Sequence, residues 1–341
     1  MNKRLTLAAL AAITALTAAV GTQPAQAQQK PLIRYHEYAK IALHLPTWVM
    51  VEKGLCEKNG IRCEPVTLAT APLAQAAAAA GSVELVNSTI DTTLQAISKG
   101  NDLQIVGASW RGYPYALVMR SDVNLPNAAA GYPKNMADLK GMKIGVSARG
   151  SSTEIFMKAL LRGAGMPEDS VYFIAVGAPV AAYGALASKQ VEGALSWDPL
   201  PAFCEASGTC KSFVDMRKGE GPPGFKALDA SSIYFQARRE YVEKNAASID
   251  AFNRAYAESV AWVQDPKNYA EVLAITKKNM ALGENFPNRE KLYELILSDQ
   301  ISHFSGKADR ASVKAWHDFL LENKVIDKPL ALDRIVYKAA P

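Results

Sequence analysis

Histidine is scarce in this 341-residue chain, with four residues dispersed at His36, His44, His303 and His317. No H-E-x-x-H, G-x-S-x-G or S-x-x-K signature occurs, and no cysteine-rich iron motif. The usual arrangements for metal hydrolysis or an activated serine are therefore missing. Charge of one sign does not accumulate either: 38 lysines and arginines face 33 acidic residues, interspersed without a basic block or aromatic ladder. That pattern implies neither nucleic acid nor a lipid surface as partner. Gly145 and Gly150 have P-loop spacing, but Ser151 stands where the phosphate-neutralising lysine belongs, which argues against ATPase activity.

Lys3 and Arg4 precede an uncharged apolar stretch from Leu5 to Val20 and then Ala25-Gln26-Ala27. This is the pattern of a secretory signal peptide over residues 1–27, with a core too short to span a bilayer comfortably. The leader carries no cysteine, so a lipid anchor is not expected, and the mature protein is expected to be exported to the periplasm and free. All four cysteines fall after the leader, as the close pairs Cys56 with Cys63 and Cys204 with Cys210. Three connectivities are open. Nearest-neighbour pairing suits the turn bracketed by each pair, while zinc lacks both the two-residue spacing and a nearby histidine.

The richest segment is DLKGMKIGVSARGSSTEIFMKALLRGAG, residues 138–165. Lys143 to Val146 reads as strand, Arg149-Gly150-Ser151-Ser152-Thr153 as turn, and Ile155 to Leu161 as the apolar face of a helix. Free N–H groups at a helix start, aligned peptide dipoles and three hydroxyls favour an anionic guest. The competing reading is a capping box, Ser151-x-x-Glu154, in which Glu154 itself satisfies the donors.

The chain after the leader exceeds what one core usually organises, so two compact units are expected. Apolar runs at Leu32–Tyr35, Val83–Val86, Leu103–Val106, Ala116–Met119, Lys143–Val146 and Val191–Leu195 alternate with helical stretches, as in doubly wound α/β sheets. A faint echo links Gly81–Ser88 with Ser188–Ser196: helix, turn, Val-Glu, strand, then a polar residue at the carboxyl end of the strand, where open sheets put ligands. From Ser248 onward Ile249, Phe252, Tyr256, Val260 and Val263 are spaced for one buried helix face.

Seven segments in order carry a resemblance: EKGLCEKNGI (52–61), GSVELVNSTIDTTLQAISKGNDLQIVG (81–107), DLKGMKIGV (138–146), GSSTE (150–154), VEGALSWDP (191–199), SIYFQARREYVEKN (232–245) and HDFLLENKVIDKPLALDRIVY (317–337). With them the chain resembles periplasmic solute-binding proteins of ABC importers, in the aliphatic-sulfonate, taurine and nitrate-type family. The resemblance implies a two-lobed type II α/β fold, each lobe a doubly wound sheet, with a ligand cleft between lobes joined by two hinge strands. Lobe I would take residues 28–118 and 232–341, and lobe II residues 119–231.

The family's ligand contacts then fall on Ser88 and Thr89, on Ser151, Ser152 and Thr153, and on Trp197 and Asp198, with the loop Tyr38–Leu45 as near wall. Trp197 is otherwise a plain core residue. Asp198 either holds a ligand amine or caps the following helix. His44 is either a donor to the ligand or simply packed. Trp110, Gly150 and the nearest strong cations, Arg111 and Arg149, complete the candidate set. The function implied is a monomeric carrier without cofactor or metal. It takes a small anionic organic solute and hands it unaltered to a permease driven by an ATPase. A periplasmic enzyme on the same fold would need paired acids in the cleft, from Asp91, Glu154 and Asp198. An adaptor for a sensor kinase would use the same cleft.

Overall fold

Secondary structure follows the apolar runs closely, and the strands they form fall into two groups. The structure, a computed structural model, describes residues 29–228, 230–283, 286 and 288–341; the expected leader lies outside them. Among the described residues the strands are β1 Leu32–Glu37, β2 Arg62–Thr67, β3 Val86–Thr89, β4 Leu103–Arg111, β5 Tyr115–Arg120, β6 Lys143–Val146, β7 Tyr172–Ala175, β8 Gly193–Trp197, β9 Cys210–Asp215 and β10 Ser231–Arg238. β8 is buried along its whole length and β4 nearly so, which is why these runs lack strict polar alternation.

In the first group β1 and β2 pair in parallel, a parallel bridge from Tyr35 to Leu85 places β3 beside β1, and β10 lies antiparallel between β3 and β4. The second sheet has the order β7-β6-β8-β5-β9, parallel across β7, β6 and β8, with β5 antiparallel between β8 and β9. The two lobes share one plan. Each inserts a single antiparallel strand that the chain supplies after crossing from the other. The echo between Gly81–Ser88 and Ser188–Ser196 falls on β3 and β8, which hold corresponding places.

The chain crosses between sheets over Gly112–Pro114, between β4 and β5, and again between β9 and β10. Met119 lies inside β5 and Ser232 inside β10.

After β10 the chain is helical. The helix Ala246–Gln264 buries Ile249, Phe252, Tyr256, Val260 and Val263, the face read from their spacing. Phe235 of β10 meets the rings of Phe252 and Tyr256 edge-on at 5.0 and 4.9 Å, a favourable arrangement for aromatic quadrupoles. The disulfides join Cys56 to Cys63 and Cys204 to Cys210.

The C-terminal helices also touch the second lobe. Phe156 packs against Trp316 and Phe319 of the helix Arg310–Glu322. Arg162 donates to Asn323 at 2.8 Å, and Arg217 reaches Asp299 at 3.1 Å.

Candidate functional site

The lobes meet where two helix starts point at each other. In the first, β3 ends at Thr89, whose extended backbone (ψ 150°) opens the helix Ile90–Ser98. In the second, β6 leads through a turn to Ser151, also extended (ψ 165°), which opens the helix Ser152–Gly163. Gly150 sits in that turn at φ 74°, a left-handed conformation that costs a residue with a Cβ. The first N–H groups of each helix have no acceptor within their own helix, so two positive dipole ends converge on one space. The hydroxyls of Thr89 and Ser152 hydrogen-bond each other across it, and the lobes are closed.

Around this contact lies a small cavity of about 30 Å³. Its walls include Tyr38 and Leu43 from the first loop, Ser88 and Thr89 after β3, Ser147, Ser151, Ser152 and Thr153 after β6, and Pro114, Tyr115, Trp197 and Ile233 near the crossings. Three rings form the apolar side: Trp197 lies 5.5 Å from Tyr38 and 6.5 Å from Tyr115, centroid to centroid. The indole Nε1 of Trp197 is buried and has no hydrogen-bond partner.

Several wall hydroxyls are already engaged. Ser88 accepts from Gln236 at 3.0 Å, Ser151 donates to the Ala148 carbonyl at 2.7 Å, and Thr153 accepts from the Ser147 N–H at 2.8 Å. Capping here departs from the predicted box. Glu154 reaches back to the Gly150 N–H at 2.6 Å and pairs with Arg149 at 2.9 Å and Lys158 at 3.3 Å. Its charge is thereby spent outside the cavity, and the helix start keeps its inward donors.

Of the predicted site residues, Tyr38, Ser88, Thr89, Ser151, Ser152, Thr153 and Trp197 line the cavity; the others do not. His44 packs behind, where its Nε2 accepts the Tyr38 N–H at 2.9 Å and burial pushes the imidazole well below its usual range. Trp110 stacks on His303 at 5.1 Å, and the carbonyl of Arg111 engages the same histidine. Arg149 is exposed and held by Glu154, and Gly150 serves the turn.

Asp198 neither faces the cavity nor caps a helix. Both its oxygens engage Arg217, at 2.9 and 3.1 Å, together with Asp215 and Asp299 around the same guanidinium. Burial pushes its carboxyl up, against the pull of Arg217.

Sequence reasoning missed Tyr115, Ser147, Ala71, Pro114 and Ile233 as walls. Ser147 alone carried a signal, as the first residue beyond a parallel strand's carboxyl end. Asp91 figured only as one of three possible acids; it lies behind the wall residues Thr89 and Ser152 without lining the cavity. It is fully buried in the first turn of Ile90–Ser98, and neither carboxylate oxygen has a partner. Burial pushes its acid up to about 6, partly offset by the nearby hydroxyls of Ser152 and Thr89.

Two lobes of one topology closed on a cleft at the strand ends define a type II periplasmic-binding-protein fold. Solved structures of this class align over most of the chain. The alkanesulfonate-binding protein SsuA of Xanthomonas axonopodis pv. citri, bound to MOPS, matches with a TM-score of 0.73 at 17% identity, covering 91% of this chain and 99% of that one. The nitrate-binding protein NrtA of Synechocystis PCC 6803 matches with a TM-score of 0.60 at 16% identity, over 77% and 70% of the two chains. At such identities the likeness concerns the fold.

The chain belongs to the family described as NMT1/THI5 like, whose model matches residues 42–269. A curated protein of Brucella abortus (strain 2308), named only as a candidate binding protein, is 30% identical over 212 residues, which are 60% of this chain and 58% of that protein.

Proposed function

We propose that this chain is the solute-binding component of an ABC importer, exported to the periplasm. It closes its lobes over a small organic solute with an acidic group and passes it unaltered to a membrane permease. The observation that carries the reading is the convergence of two helix starts, one from each lobe, on a cavity walled by hydroxyls and three aromatic rings. Among the described residues no lysine or arginine lines it. Charge-assisted hydrogen bonds from neutral donors strengthen where water is excluded, so an acidic group needs no full counter-charge there. Contacts from both lobes exist only when the lobes are shut, which makes closure a ligand-driven population shift.

The relatives' printed names support the ligand class: one solved structure binds alkanesulfonates and another nitrate. None of Asp91, Glu154 and Asp198 is among the residues that line the cavity, which does not favour the paired acids expected of an enzyme.

A thermal-shift screen of sulfonates, nitrate, amino acids and aromatic acids tests the reading. A true ligand at a hundredfold excess over its Kd adds about 2.7 kcal/mol. The double variant Ser152→Ala, Trp197→Ala is expected to weaken the best hit at least about tenfold, through one lost hydrogen bond and one lost apolar wall. Unchanged affinity would place the site elsewhere.

A further inference from the structure

Gln236 is fully buried on β10, the strand the chain forms on its return from the second sheet, and it does not line the cavity. β10 pairs antiparallel with β3, where Tyr234 stands opposite Ser88. Two places along, Gln236 emerges on the same face, a diagonal position from which a long side chain reaches its neighbour. Its amide NH2 donates to Ser88 Oγ at 3.0 Å, and its amide oxygen accepts from the Thr93 hydroxyl near the start of the helix Ile90–Ser98.

Ser88 receives a second donor. Gln75 of the helix Ala71–Ala79 reaches the same oxygen with its NH2 at 3.3 Å. A serine hydroxyl has two acceptor lone pairs and one proton, so with both lone pairs engaged Ser88 can only donate. Its remaining neighbour, Thr92 Oγ1 at 3.1 Å, gives its own proton to the Thr89 carbonyl at 2.9 Å and so stands as an acceptor. The Ser88 proton therefore goes to Thr92, or to an oxygen of a molecule in the cavity that Ser88 lines.

We propose that Gln236 is a positioning residue for solute binding: it acts through Ser88, fixing that wall hydroxyl as a donor and so matching it to an acceptor oxygen. The inference rests on the cleft being the solute site, as proposed above. Because Thr93 holds the amide oxygen, the NH2 is the end left for Ser88. The same side chain ties the end of β3 to the helix start that opens beside it. Two donors onto one oxygen also polarise its O–H bond, which strengthens what the hydroxyl donates. Without the amide, one lone pair of Ser88 is free and the direction of its proton is no longer set.

A double-mutant cycle read by calorimetry separates action through Ser88 from a general loosening of the fold. The probes are ethanesulfonate, taurine, nitrate and benzoate at pH 7.5, and the tightest binder is carried through the cycle. With Ser88 present, Gln236→Met is expected to weaken that probe about threefold to tenfold, the range of a single hydrogen bond. In the Ser88→Ala background the same change should cost less than about twofold, the two residues acting as one unit. A melting curve checks that each variant folds. Gln236→Asn keeps a buried amide but is one methylene short of Ser88, and it should repeat the pattern where Gln236→Met does not fold.

Equal weakening in both backgrounds would mean a merely structural amide and overturns the inference, as does an unchanged affinity. Tighter binding by Gln236→Met overturns it too, since the Ser88 proton would then have been spent on the amide. If Ser88→Ala leaves affinity unchanged while the Ser152→Ala, Trp197→Ala pair weakens the probe, the solute site stands and the positioning role fails. Binding indifferent to that pair, or no binding by any probe, overturns both.

Discussion

Asp91 shows how the burial of a single residue bears on stability. Its acid is raised from the ordinary carboxylate range to about 6 because burial disfavours the charge. Between about pH 4 and 6 the folded chain therefore holds a proton that the unfolded chain has released. Stability falls as pH rises through that window and stays low above it. Asp91→Asn removes the ionisation, so at pH 7.5 it should stabilise the ligand-free protein by about 3 kcal/mol, each tenfold weakening of the acid being worth about 1.4 kcal/mol. The gain should vanish below about pH 4. Urea unfolding at both pH values measures this, and a destabilised variant at pH 7.5 would contradict it. None of this was legible in sequence, where Asp91 is one acid among 33 acidic residues. Ser152 was legible, because a hydroxyl run before a helix is a local pattern, whereas Trp197 was singled out only by the resemblance and otherwise reads as core. Asp198 misled for the opposite reason: its partner Arg217 lies 19 residues on, across a sheet.

Among the elements, the short disulfide loops hold helix ends to strands. Cys204–Cys210 ties the helix Leu200–Ser207 to β9, and Cys56–Cys63 ties the helix Leu55–Lys58 to β2. Loops of this size restrict the unfolded chain modestly, so replacing either pair by serine should cost about 2–3 kcal/mol, read from the urea midpoint with the slope unchanged. Loss of cooperativity would show that the bridge holds the fold itself. Most elements could be read beforehand: β6 matches the run Lys143–Val146, and the helix Ala246–Gln264 buries the face its spacing marked. β3 starts at Val86, three residues after the apolar run begins, because Val83 instead packs under the helix Ala71–Ala79. The partly exposed β2 and β7 escaped notice, since strands without a run of buried apolar residues carry little signal, and β9 and β10 were not among the expected runs either.

For the molecule as a whole, Arg217 is a joint between lobes. It binds the buried Asp198 and Asp215 of one lobe and the half-exposed Asp299 of the helix Arg289–Gln300. Asp299→Asn should change stability by less than about 1 kcal/mol, as for other exposed pairs. Arg217→Met strands two enclosed carboxylates and should cost about 3–5 kcal/mol; equal effects in an unfolding titration would refute this ranking. The chain's own order of residues determined the α/β class, the strands with continuous apolar runs and the hydroxyl-bearing helix start, because propensity, periodicity and capping act over a few neighbours. Only the tertiary structure decided which hydroxyls face one another, which arginine claims Asp198, and that Asp91 is shut away without a partner. Those are distances between segments far apart in the chain, and burial, which sets the cost of a charge, exists only once the lobes have packed.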